Sequence, residues 1–311
     1  MRPVIEPTLA VGLPVGNKLY KTHELHRMVE LARIADEAGV HTVAFPDHVV
    51  MGSSVDEYEW GRYQHTPETP WLEPLTLLAS IASVTRSVRL ATSILIAPLR
   101  PAALLAKIAT TLDILSQGRL ELGVGTGWQS IEFEAEGLKF ARRGRALTDT
   151  IAACRALWTK SPATFSSETV SFVDVWCEPK PVQIGGPPIL FSGTLTKRNI
   201  DRITNLGDGW IPIMGATQED IGHGVQTIRD HWLAAGRDPA RLKVRAPLPV
   251  VVFHDKPDLD ATIDLTAQWV ARGVSEVLVR IADFVSDPDE AGKWFNRLTR
   301  CFEAQRGAGA G

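Results

Sequence analysis

The chain has 311 residues, of which 44% are hydrophobic and 22% charged, and its formal net charge is −3. That composition supports a large globular core and excludes a disordered chain. There is no cationic excess to neutralise a phosphate backbone, which argues against nucleic acid as a partner.

Strand-like and helix-like stretches alternate along the sequence. Leu9-Ala10-Val11-Gly12-Leu13 is the first strand-length apolar run. Residues 23–38 follow with helical spacing through Leu25, Met28, Val29, Leu31, Ala32 and Ala35, and Gly39 stops that helix. A buried strand spans 42–45 and is closed by Pro46. A polar, aromatic loop occupies about 51–70. Then come a helix at 75–84, a strand at 88–97, a helix at 104–115, the turn Ser116-Gln117-Gly118, a strand at 119–124 and helices at 131–138 and 144–158. The stretch 161–188 is irregular and holds five prolines, and its pieces Thr164-Phe165 and Ser171-Phe172-Val173 predict a small hairpin. The alternation resumes with strands at 189–191, 209–213, 244–253 and 276–281, and helices at 197–206, 218–235, 259–272 and 288–302.

Short apolar strands separated by helices are the signature of a parallel sheet covered on both faces. Eight such units in this length predict an α/β fold of the closed (β/α)8, or TIM, barrel type. It would be one domain over residues 1–311, carrying an insertion at 161–188. Three cysteines, no CxxC and no HExxH leave no disulfide framework and no zinc motif. The first residues lack a signal-peptide apolar block, and no apolar run is long enough to span a bilayer, so a soluble cytoplasmic protein is expected.

Barrels of this kind carry their sites at the carboxyl ends of the strands. After the second strand stands Asp47-His48. Only histidine titrates near neutrality unaided, so His48 is the candidate general acid or base, with Asp47 beside it to bond a cofactor ring or set the local charge. The competing reading has Asp47 capping a turn and His48 packing there. His41 falls at the opposite end of the barrel; His65 could touch substrate, and His254 follows the seventh strand. Gly125-Thr126-Gly127 suits close approach of a flat molecule, or equally a tight strand-to-helix turn. Ser192-Gly193-Thr194 precedes a helix bearing Lys197 and Arg198, which suits a phosphate as well as an ordinary helix cap. Tyr58, Trp60, Tyr63 and Trp71 cluster near the long loop, which would act as a lid or substrate wall, or pack on itself or on a second subunit.

Several runs resemble the luciferase-like monooxygenase superfamily of flavin- and F420-dependent oxidoreductases, and within it the actinobacterial F420-dependent subgroup. They are Phe45-Pro46-Asp47-His48, the run from Arg89 to Leu95, Leu104-Leu105-Ala106-Lys107 through to Arg119, and Leu122-Gly123-Val124-Gly125-Thr126-Gly127-Trp128 with Glu132-Phe133 beyond. Arg143-Gly144-Arg145, Pro179-Lys180-Pro181-Val182-Gln183 and Gly207-Asp208-Gly209-Trp210 complete the set. The resemblance implies a barrel with an insertion, coenzyme F420 at the strand ends, a small-molecule substrate and a homodimer. It implies cofactor contacts from Asp47, Thr92, Ser93, Ile94, Thr126 and Gly127, with a non-prolyl cis peptide at Ser93-Ile94. The phosphate end would lie near Ser192, Gly193 and Thr194. Sugar-oxidising relatives carry glutamate where this chain has Trp128, so a neutral organic substrate is expected, in a pocket with Trp128, Trp71 and His65. An FMN-dependent monooxygenase served by a flavin reductase is the alternative, and a non-catalytic F420 carrier or sensor the second.

Overall fold

The computed structural model describes residues 6–60 and 63–308. The N-terminal segment at 1–5, the Gly/Ala-rich end at 309–311, and Gly61 and Arg62 of the aromatic loop lie outside the described residues. Eight strands close into a parallel barrel: β1 (Thr8–Gly12), β2 (Thr42–Phe45), β3 (Arg89–Ile96), β4 (Leu120–Gly125), β7 (Ile189–Ser192), β8 (Gly209–Ile211), β9 (Lys243–Pro247) and β12 (Glu276–Arg280). Around it run α1 (Met28–Glu37), α2 (Pro74–Val84), α3 (Ala102–Leu115), α5 (Arg143–Thr159), α6 (Lys197–Asn205), α7 (Gln218–Ala234) and α10 (Ala291–Ala308). The expected barrel is therefore observed. So is the hairpin in the insertion, β5 (Ala163–Ser166) against β6 (Ser171–Val175).

Side chains alternate along each strand, and this alternation makes the site. Leu9 and Val11 of β1 pack outward into the shell beneath the helices. Their neighbour Ala10 turns inward, where it meets Ala44, Ala91 and Leu278. The three alanines of this middle layer leave space above them at the carboxyl ends of the strands. Below lies an ionic floor. Arg245 is fully buried and pairs with Glu276 and with Glu121 at 2.8 Å, and Glu121 also pairs with Arg89 and Lys243. Burial alone would raise the Glu276 carboxyl, but Arg245 and the hydrogen bonds from His41 and Thr42 outweigh it and hold the group below the usual carboxylate range. Such a cluster persists because each charge is met by another.

Three expectations about the strands and helices need correction. The strand expected at 244–253 ends at Pro247, and Val251–Phe253 (β10) folds back on Lys256–Asp258 (β11) as a separate hairpin. Pro247 and Pro249 lack the amide donors a central strand needs. His254 and Asp255, at φ 47° and 59°, form the two-residue turn that suits a hairpin. His254 therefore sits at a hairpin tip, where it borders a pocket with Phe253 and Trp294. The helix expected at 259–272 is two short ones, α8 (Leu259–Asp264) and α9 (Thr266–Ala271), and that expected at 131–138 shortens to α4 (Ser130–Ala135).

Candidate active site

A cavity of about 320 Å³ opens at the carboxyl ends of the strands. Asp47, His48, His65, Trp71, Ser93, Ile94, Gly127, Trp128 and Ser192 all border it, so most of the residues read from the sequence converge. Four do not reach its wall. Thr92 is buried and donates its hydroxyl to the Gly123 carbonyl at 2.8 Å, which ties β3 to β4. The Thr126 hydroxyl turns to the Gly127 carbonyl at 3.3 Å. Gly193 and Thr194 continue from Ser192 toward α6; the Gly193 amide donates to Ile211, and the helix cap is Thr196. The Ser93–Ile94 peptide is cis, at a break in the β3–β4 register between Thr92 and Leu95.

His48 leaves β2 immediately after Pro46 and Asp47, and it is 8% exposed. Its Nδ1 lies 3.0 Å from Oε2 of Glu132, which is fully buried on α4, and Oε1 of the same carboxylate accepts the Val49 amide at 3.0 Å. Its Nε2 lies 3.0 Å from the Tyr63 hydroxyl. Glu132, His48 and Tyr63 thus form one hydrogen-bonded chain. Aromatic rings enclose it: Trp71 stands 4.6 Å and Trp128 5.7 Å from the imidazole, and Tyr63 and Tyr58 pack on Trp128 at 4.9 and 5.3 Å. The long loop therefore supplies the cavity wall. Burial, then Lys18, His48 and Arg280, lowers His65 to about 4 and keeps it neutral at pH 7.

Asp47 is engaged elsewhere. Arg100 grips both of its carboxylate oxygens, and the Ile96 amide adds a third bond at 2.9 Å. This clamp holds the exit of β2 against the end of β3.

Sequence reasoning missed Glu132 as a partner for His48, because nothing local distinguishes it from any acid on a short helix. It read Arg198 near the start of α6 but missed the second cation that meets it, Arg202. Arg202 is 6% exposed, has no carboxylate partner among the described residues, and reaches only Thr148 and the Gly144 carbonyl. Burial and the neighbouring Arg198 lower it to about 10. A Cβ built on Gly144 would lie 3.3 Å from Arg202 Nη2 and 3.5 Å from Arg198 Nη1, so two guanidinium groups converge there. Arg143, next to that glycine, keeps a buried Nε without a partner among the described residues. Two converging cations with no acid between them favour an anion.

Residues 10–306 match the sequence model of the family described as luciferase-like monooxygenase. The chain belongs to that family. An uncharacterised protein of Mycobacterium tuberculosis (strain ATCC 25618 / H37Rv) is 33% identical over 280 residues, covering 86% of this chain and 90% of its own. Among solved structures, the monooxygenase RslO1 from Streptomyces bottropensis superposes with a TM-score of 0.75 at 20% identity, over 94% of this chain and 97% of that one. An F420-dependent secondary alcohol dehydrogenase, solved with an F420–acetone adduct, gives a TM-score of 0.71 at 15% identity, over 95% and 99%. At these identities the structural likenesses show the fold. Within the luciferase-like family the chain is an oxidoreductase. No helix among the described residues is long and apolar enough to cross a membrane.

Proposed function

We propose that this protein transfers a hydride between coenzyme F420, bound at the barrel mouth, and a small neutral organic substrate. The observation that carries the reading is the Glu132–His48–Tyr63 chain set in an aromatic cavity beside Ser93 and Ile94. Hydride transfer to or from an oxygen-bearing carbon needs a matching proton transfer, and these three linked side chains offer a path for it.

The residues fit the cofactor. The ring side would rest among Asp47, Ser93, Ile94, Gly127 and Ser192, all of which border the cavity. Arg198 and Arg202 supply the uncompensated positive charge that a phosphate requires. When bound, F420 supplies the two-electron chemistry; the protein supplies position, proton and dryness. Trp128, Trp71 and His65 form the substrate wall, which is aromatic and carries no formal charge. Trp128, which stands where sugar-oxidising relatives carry glutamate, favours a neutral substrate over a sugar phosphate.

His48→Ala tests the reading. Turnover should fall while F420 affinity stays within a few-fold, and unchanged turnover would remove His48 from the chemistry.

A second reading, an FMN-dependent monooxygenase served by a flavin reductase, is favoured by the likeness to RslO1. The same ring side and the same cation pair would serve FMN, so cofactor binding decides between the two.

A further inference from the structure

We infer that Tyr63, and not His48, is the group that meets the substrate hydroxyl, and that it passes the proton on to His48 at Nε2. The inference deepens the reading above and rests on it for the oxidant.

An ionised carboxylate has only acceptors, so the 3.0 Å contact between Glu132 and His48 Nδ1 puts the imidazole hydrogen on Nδ1. In the neutral ring the lone pair is then on Nε2, and at 3.0 Å the Tyr63 hydroxyl donates into it. That donation fixes the remaining geometry. The phenol hydrogen points to the imidazole, and the lone pairs of Tyr63 Oη are left to accept. Both residues border the cavity, but Nε2 of His48 is already taken. A substrate reaching Nε2 directly must displace Tyr63. A substrate hydroxyl donating to Tyr63 Oη displaces nothing in the protein.

For a secondary alcohol the step balances. The carbinol C–H bond breaks and its electron pair leaves with the hydrogen as hydride to bound, oxidised F420. The C–O bond becomes C=O. The hydroxyl proton moves to Tyr63 Oη as the phenol proton moves to His48 Nε2. The products are a ketone, a neutral phenol and an imidazolium facing Glu132. Burial, then Glu132 and Tyr58, raises the Tyr63 phenol above its ordinary value, which disfavours a standing phenolate and favours the two proton movements together. The walls of Tyr58, Trp71 and Trp128 suit an alcohol with a flat apolar substituent.

The test begins without cofactor. The full chain is labelled with ¹⁵N-histidine, and the His48 signals are assigned by their loss in His48→Asn. The expected spectrum shows hydrogen on Nδ1 and an accepted hydrogen bond at Nε2, and Tyr63→Phe should move the Nε2 signal toward that of a free imidazole. With F420 and 1-phenylethanol as the probe, Tyr63→Phe should lose about 10²–10⁴-fold in kcat with F420 affinity unchanged within twofold. An Nε2 signal unmoved by Tyr63→Phe, or wild-type kcat in that variant, overturns the relay. F420 bound by the wild type with 1-phenylethanol left unreacted overturns the substrate class. Failure of the wild type to bind F420 overturns the hydride reading, and the histidine spectrum still decides the hydrogen bond by itself.

Discussion

Asp47 and Arg100 form a two-point ion pair, Oδ2 to Nη1 at 2.6 Å and Oδ1 to Nη2 at 3.0 Å, with both groups largely out of water. Removing one member strands the other. Asp47→Ala should cost about 3–5 kcal/mol of stability, because Arg100 would keep only Glu73 as an acidic partner. The double variant Asp47→Ala/Arg100→Met should cost less than the sum of the two single changes. Urea unfolding of the three variants checks this. A loss under about 0.5 kcal/mol for Asp47→Ala would mean the clamp does not hold the β2 exit.

His65 carries a pH dependence. Its folded value, about 4, lies below the ordinary histidine value of 6.5. Between those two values the unfolded chain binds a proton that the folded chain does not, so stability falls as pH drops from 6.5 to about 4. His65→Gln should flatten the slope in that window and leave stability above pH 7 nearly unchanged. Thermal unfolding from pH 4 to 8 reads both. An identical slope in the variant would assign the acid sensitivity to other groups.

Much of the fold was legible because a barrel is written in local periodicity, and the strand ends then mark the site. His48 and Trp128 could be found that way, whereas the Ser93–Ile94 pair came only from the family resemblance. The ion pairs could not, since Glu132 lies 84 positions from His48 and Arg100 lies 53 from Asp47. Such contacts are products of closure and leave no spacing in the chain. The 251–258 hairpin was misread for the opposite reason. Val251, Val252 and Phe253 form an apolar run that looks like buried strand, yet Phe253 is 65% exposed. The two nearby prolines were the overlooked signal.

Trp128 touches His48, Tyr58 and Tyr63 at once. Trp128→Ala should raise KM for an aromatic alcohol about tenfold, the cost of roughly 1.4 kcal/mol of lost ring contact, and change KM for 2-propanol much less. Steady-state kinetics on the two alcohols separates these effects. Equal shifts for both would remove Trp128 from substrate discrimination.

The cation pair is separable from the ring site. Arg198→Ala, an exposed position, should weaken F420 binding about tenfold through the lost charge-assisted contact, and leave binding of the deazaflavin ring without its phosphate unchanged. Parallel fluorescence titrations of the two ligands measure it. Equal weakening of both would place the phosphate elsewhere.

Equilibrium binding of the purified chain to oxidised F420 and, separately, to FMN, followed by fluorescence quenching, decides which cofactor the cavity takes. Micromolar or tighter binding of F420 and much weaker binding of FMN are expected. Preference for FMN would move the protein to monooxygenase chemistry, and binding of neither would contradict the assignment of a cofactor to this cavity.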